Sequence, residues 1–134
     1  YFAAMTDLKS YFDANEELLD RRKARELFHE EWTVYTRTND SCPTHYYDTA
    51  QIRNSVVSNG CQVEGTIENS ILGRGCIIHK GAVIKNSVVL AGAEIGEGVH
   101  VENQDVDKLA KILHVKEVVS DPTLPGYIKR GDII

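Results

Sequence analysis

Ile52-Arg53-Asn54-Ser55-Val56-Val57 returns as Ile67-Glu68-Asn69-Ser70-Ile71-Leu72, and again as Ile84-Lys85-Asn86-Ser87-Val88-Val89. A weaker copy opens at Val101-Glu102-Asn103-Gln104, so the offsets are 15, 17 and 17 residues. A second element keeps step with the first: Gly60-Cys61-Gln62-Val63, Gly75-Cys76-Ile77-Ile78 and Gly92-Ala93-Glu94-Ile95. Self-similarity at a fixed period marks a stacked architecture, because each unit must bury its apolar face against its neighbours.

Within the repeat, aliphatic residues recur every four to six positions, three times per unit. A helix would return at three and four, and a half-buried strand at two. Stacked by repeat, the aliphatic residues form three columns. The first holds Ile52, Ile67, Ile84 and Val101; the second Val57, Leu72 and Val89; the third Val63, Ile78 and Ile95. Such a step describes a chain wound round a triangular prism, each short face sending one side chain inward and each corner turning on Gly, Asn or Lys. Gly suits such corners because it accepts positive φ. Cys61, Cys76 and Ala93 each stand four residues after a column member, which predicts a stack of small interior side chains. The expected fold is therefore a mainly β, parallel β-helix of hexapeptide repeats, about three to four coils long.

The first forty residues read differently. Ser10, followed three positions later by Asp13, suggests a helix start. Tyr11, Phe12, Leu18 and Leu19 then recur near helical spacing, and Arg21, Arg22, Lys23 and Arg25 suit the C-terminal end of a helix dipole. Thr33-Val34-Tyr35-Thr36 alternates like a strand, and Asn39-Asp40-Ser41-Cys42-Pro43 reads as a turn-rich linker that also spells a glycosylation sequon. We expect a helix-strand linker over residues 1–46 and the β-helix over 47–134. Leu109 to Val115 is expected to form a helical turn. The chain begins at Tyr1 without an initiator Met, which suggests a piece of a longer protein.

Composition narrows the function. Fifteen Lys and Arg against twenty Asp and Glu give a net charge of −5, which speaks against a nucleic-acid partner held by bulk charge. No apolar run reaches the roughly 18 residues of a membrane span. Three cysteines without CxxC spacing suit neither a disulfide framework nor a zinc site, and a cytoplasmic location follows as the expectation. Cys61 and Cys76 are near enough in stacked coils for a disulfide, but an interior position favours two small buried thiols. The histidines form no metal-binding pair. His79 and His100 lie near coil corners, where a hexapeptide-coil acyltransferase would place a general base. No nucleotide-cradling loop and no nucleophile-base constellation is legible.

Taken in order, several segments carry a resemblance. These are Tyr11-Phe12-Asp13-Ala14-Asn15-Glu16-Glu17-Leu18-Leu19, then Trp32 to Arg37, Pro43-Thr44-His45-Tyr46, and the coil Glu64-Gly65-Thr66-Ile67-Glu68-Asn69-Ser70. The chain resembles the C-terminal region of the glucose-1-phosphate adenylyltransferase (ADP-glucose pyrophosphorylase) family. The Pro-Thr-His-Tyr stretch looks closest to the regulatory, GlgD-type bacterial subunit of glycogen biosynthesis. The resemblance implies a left-handed β-helix, an exception to the usual crossover hand. It implies an N-terminal nucleotidyltransferase domain, using magnesium, that joins ATP and glucose 1-phosphate into ADP-glucose and pyrophosphate. It further implies packing on that domain, assembly into a homo- or heterotetramer, and control by a phosphorylated metabolite. On this view no catalytic residue lies in the chain, and Lys108 and Lys129 are the candidate anion-binding residues. The alternatives are the β-helix of another sugar-1-phosphate nucleotidyltransferase, or the acyltransferase based on His79 or His100.

A charge placed in a column tests the winding. Ile78→Asp buries an unpaired carboxylate, which costs several kcal/mol, and is expected to abolish cooperative thermal unfolding; an unchanged Tm would refute the column assignment.

Overall fold

The computed structural model describes residues 2–38 and 40–134; Tyr1 and the sequon residue Asn39 lie outside them. From His45 onward the chain winds through five successive coils. The first coil contributes β1 (His45–Tyr46), β2 (Gln51–Arg53) and β3 (Val56–Val57). The second gives β4 (Gln62–Val63), β5 (Thr66–Glu68) and β6 (Ile71–Leu72). The third gives β7 (Ile77–Ile78), β8 (Val83–Lys85) and β9 (Val88–Val89). The fourth gives β10 (Glu94–Ile95), β11 (His100–Glu102) and β12 (Gln104–Val106), and the fifth β13 (Lys111–Ile112), β14 (Glu117–Val119) and β15 (Gly126–Ile128). Equivalent strands stack into three five-stranded parallel sheets, the faces of the prism.

The register is the sequence repeat itself. Ile52 pairs with Ile67, Ile67 with Ile84 and Ile84 with Val101. Val63, Ile78 and Ile95 align in the same way, as do Val57, Leu72 and Val89. The inner coils bury these columns completely, whereas Ile52 of the first coil keeps 38% of its surface exposed. Val106, Ile112, Val118 and Ile128 extend the columns to the far end. Cys61, Cys76, Ala93 and Ala110 fill the tight interior corner, and both of these thiols are free. Each donates to a main-chain carbonyl, Cys61 Sγ to Gly73 and Cys76 Sγ to Leu90.

One corner of each coil shows why particular residues recur. Asn54, Asn69, Asn86 and Asn103 all adopt the left-handed region, with φ between 45° and 56°. Asn is among the few side-chain-bearing residues that enter this region readily. The serine that follows each of the first three asparagines then ties the coils together. Ser55 Oγ accepts from the Ser70 amide, Ser70 Oγ from the Ser87 amide and Ser87 Oγ from the Gln104 amide. Each hydroxyl donates in turn to the carbonyl two residues earlier. Ser70 and Ser87 are fully buried, so this ladder satisfies backbone groups that water cannot reach.

Before the coils, α1 spans Leu8–Glu16 and α2 spans Arg21–Leu27, joined by a 3-10 turn at Glu17–Leu19. The helix begins at Asp7 rather than Ser10: Asp7 accepts from the Ser10 amide, and Ser10 Oγ accepts from the Asp7 amide, closing a capping box. Helix α1 packs on β9, and its Phe12 is only 3% exposed.

Two expectations need correction. Residues 33–36 form no strand, because Val34 and Tyr35 are exposed and find no sheet edge among the described residues to pair with. Leu109 to Val115 contains β13 of a fifth coil instead of a helical turn. Its inward residues, Ala110 and Ile112, fall at the 17-residue offset from Ala93 and Ile95 and are captured by β10.

Ser87→Ala removes an acceptor from the buried Gln104 amide and is expected to destabilise the chain by about 1–3 kcal/mol. Chemical denaturation would check it; a loss below about 0.5 kcal/mol would mean that the ladder is dispensable.

Candidate functional site

The third corner, where the chain passes from the sheet of β3 to the sheet of β1, uses a residue pair in every coil: Asn59-Gly60, Arg74-Gly75, Ala91-Gly92, Lys108-Leu109 and Arg130-Gly131. The second member always has a left-handed backbone, φ running from 63° at Leu109 to 79° at Gly60. Leu109 alone carries a side chain there, at a penalty of about 1–2 kcal/mol. Amides of the second members donate to carbonyls of the first members one coil away: Gly75 to Asn59, Gly92 to Arg74, Leu109 to Ala91 and Gly131 to Lys108. This hydrogen-bonded stack fixes the register of whatever side chains the first members carry.

Those side chains are mostly cationic. Arg74, Ala91, Lys108 and Arg130 line one wall of a groove of about 730 Å³, and Arg37, Thr38, Ser41 and Cys42 of the preceding segment line the other. Neighbouring coils are about 4.8 Å apart, so Arg74 and Lys108 stand roughly 10 Å apart along the edge, with Arg130 one coil beyond. Among the described residues, four cationic ones and no carboxylate line this groove, in a chain whose net charge is −5.

The partners of these groups are few. Arg74 donates from its guanidinium to the Arg37 carbonyl at 2.7 Å, which holds the segment over the corner. Ser41 Oγ is shielded from solvent and has no hydrogen-bond partner among the described residues. Beside the groove, Asp107 accepts from the Tyr127 hydroxyl at 2.5 Å and from the Lys108 amide at 2.7 Å. These bonds, with Arg130 and Lys108 nearby, hold its carboxyl below the usual range. The arrangement can bind an anion bearing more than one negative group. Lysine serves as a mobile point charge and arginine as a planar fork for phosphate oxygens.

Lys108 lines this groove. Lys129 is exposed and does not line the groove; its neighbour Arg130 does. The 17-residue offset that relates Lys108 to Ala91 and Arg74 could have identified Arg74, but nothing in the repeat pointed to Arg37. His79 Nε2 lies 2.7 Å from Glu94 Oε1, and His100 Nε2 lies 3.1 Å from Glu102 Oε2. Neither histidine lines the groove.

The model of the GlmU-like, C-terminal hexapeptide family matches residues 42–124, more than half of the chain. The chain belongs to this family. Its hexapeptide coils accord with left-handed winding of the prism.

Relatives add detail. A glucose-1-phosphate adenylyltransferase of Fervidobacterium nodosum is 33% identical over 103 residues, which is 77% of this chain and 25% of the relative. Glucose-1-phosphate adenylyltransferases of Bacillus cytotoxicus and Bacillus thuringiensis are 32% and 29% identical, each over 76% of this chain and 27% of the relative. The chain thus spans about a quarter of the length of these relatives and is related to a part of them. Among the described residues no helix is long and apolar enough to cross a membrane.

Arg74→Ala frees the Arg37 carbonyl and is expected to accelerate tryptic cleavage after Arg37 about fivefold, by raising local opening of that segment. Cleavage rates equal to wild type would show that the hydrogen bond does not hold the segment.

Proposed function

We propose that the chain is the C-terminal assembly and allosteric domain of an ADP-glucose pyrophosphorylase subunit, closest to the regulatory GlgD type. Residues 1–46 would link an N-terminal nucleotidyltransferase domain to the β-helix of residues 47–134. The parent would form ADP-glucose and pyrophosphate from ATP and glucose 1-phosphate in the cytoplasm, for glycogen biosynthesis. Its partners would be its own catalytic domain and the other subunits of a tetramer. The likeness to three glucose-1-phosphate adenylyltransferases supports the parent activity. The observation that carries the regulatory role is the cationic corner, where Arg74, Lys108 and Arg130 are stacked in register and Arg37 closes over them.

In this reading the groove holds a phosphorylated metabolite. Lys108 and Arg130 neutralise one phosphoryl group, Arg74 reaches a second anionic group farther along the edge, and Ser41 Oγ offers an unspent hydrogen bond. Binding draws the segment of Arg37 onto the prism, which passes the signal toward the preceding domain. Magnesium would serve phosphoryl chemistry in that domain. Among the described residues no group of three or more His, Cys, Asp or Glu could hold a metal ion.

The test uses the full-length subunit with its catalytic partner, assayed for pyrophosphate release. Lys108→Ala is expected to raise the concentration of inorganic phosphate needed for half-maximal effect about tenfold, the loss of about one charge-assisted hydrogen bond. Lys129→Ala is expected to shift it less than twofold. Equal responses in wild type and Lys108→Ala would overturn the groove as the effector site.

A second reading, the β-helix of another sugar-1-phosphate nucleotidyltransferase, draws on the GlmU-like family model. Turnover of UTP with N-acetylglucosamine 1-phosphate, and none of ATP with glucose 1-phosphate, would favour it.

A further inference from the structure

Asp105 stands out from its surroundings. It lies at the centre of β12, where alternation turns Gln104 and Val106 inward and Asp105 outward on the prism. The outward residue in register on β9 is Val88, fully buried because α1 packs there. Asp105 is itself only 3% exposed, and its Oδ1 has no hydrogen-bond partner among the described residues. Val88 thus lies beneath α1, and beside it on the next strand stands one unpaired carboxyl.

The groups around it do not neutralise it. From α1 comes Tyr11, whose hydroxyl is pushed up by its own burial and by the Asp105 charge. Glu16, on the same helix, is pushed up by burial and by Asp13, while Lys9 is engaged with Asp13. On β9 the facing residue is Val88, which cannot titrate. On β15 the register partner is Tyr127, whose hydroxyl is committed to Asp107. Asp107, two residues along the chain from Asp105, adds a like charge, and Arg130 and Lys108 act on Asp107 instead. A carboxylate buried without a partner is costly, and the group lowers that cost by keeping its proton.

We propose that Asp105 is a protonation latch: α1 lies docked on the third sheet while the Asp105 carboxyl is protonated, and loosens when it ionises. Burial, and then Asp107, push the Asp105 carboxyl up to about 6. Undocking restores the ordinary value near 4. Over that window the docked form binds more protons, so docking is strongest at low pH and weakens as pH rises through about 6. The latch is independent of the metabolite reading, because it involves α1 and the outer face of β12 and no residue lining the groove.

The test is hydrogen exchange of the full chain at pH 5 and pH 8, corrected for intrinsic rates, with the α1 amides compared to those of β5, β8 and β11. Between these pH values the two titrations differ by about tenfold in docking equilibrium. The expected result is an about tenfold loss of α1 protection at pH 8, with strand protection unchanged. Asp105→Asn and Asp105→Val should each flatten this dependence and raise α1 protection at pH 8 above wild type, which a merely structural aspartate would not do. Equal α1 protection at both pH values overturns the latch. So does a pH dependence that survives in both variants, which would transfer it to Glu16, or a parallel loss in the strands, which would mean global unfolding.

Discussion

Everything in this molecule depends on register between coils. A β-helix has no hairpins to align its strands; each short strand is held only by the coils before and after it. An inward aliphatic must therefore meet an inward aliphatic one coil away, or the whole coil slips. Three independent devices impose that match: the interior columns, the serine ladder beside the left-handed asparagines, and the amide-to-carbonyl stack beside the left-handed glycines. Two of the three use main-chain groups. The fold can thus hold while the outward side chains vary freely, and this freedom is what lets one corner be basic and one face carry an unpaired acid.

The parts of the fold legible in the sequence are those that repeat. Ile67, Ile84 and Val101 announce their column because the asparagine and serine that follow, or their counterparts, repeat beside them. The fifth coil escaped detection because its signals change. Leu109 replaces the corner glycine, no Asn-Ser pair follows Val118, and Val106 and Ile128 are 22 residues apart where the interior offsets are 15 or 17. What remains there is the stack itself, which captures Ala110 and Ile112 by position alone. The stretch 33–36 fails for the opposite reason: an alternating pattern makes a strand only against a partner edge, and β1, the terminal strand of its sheet, pairs only with β4.

The candidate site was half legible by the same logic. Lys108 came from family resemblance, whereas its companions follow from geometry. The residue before each left-handed corner is stacked vertically, so residues distant in sequence, 74, 108 and 130, come to share one edge. Arg37 belongs to no repeat, and only the hydrogen bond from Arg74 shows where its segment lies. Stacking like charges in this way is unfavourable in itself. The corner tolerates it because the groove is open to solvent and screening ions, and because Asp107 lies just behind Lys108.

Departures from the repeat are therefore the informative positions. Where the pattern calls for glycine, the corner has Leu109, whose side chain folds back over Gly92 beside the groove; a Cβ on Gly92 would come within 2.7 Å of it. Where an outward aliphatic would match Val88, the fourth coil has Asp105. Neither substitution serves the winding: the first strains the backbone and the second buries an unpaired carboxyl. A repeat that tolerates such residues in adjacent coils, one beside the cationic groove and one beneath α1, concentrates its unfavourable free energy at the two places where the prism meets the N-terminal segment. On the proposed readings these are also the places where an anion or a proton would act, the first neutralising the stacked cations and the second the buried carboxylate. On the two proposed readings, a signal received at either contact would move the N-terminal segment while the hydrogen-bonded stacks keep the coils in register.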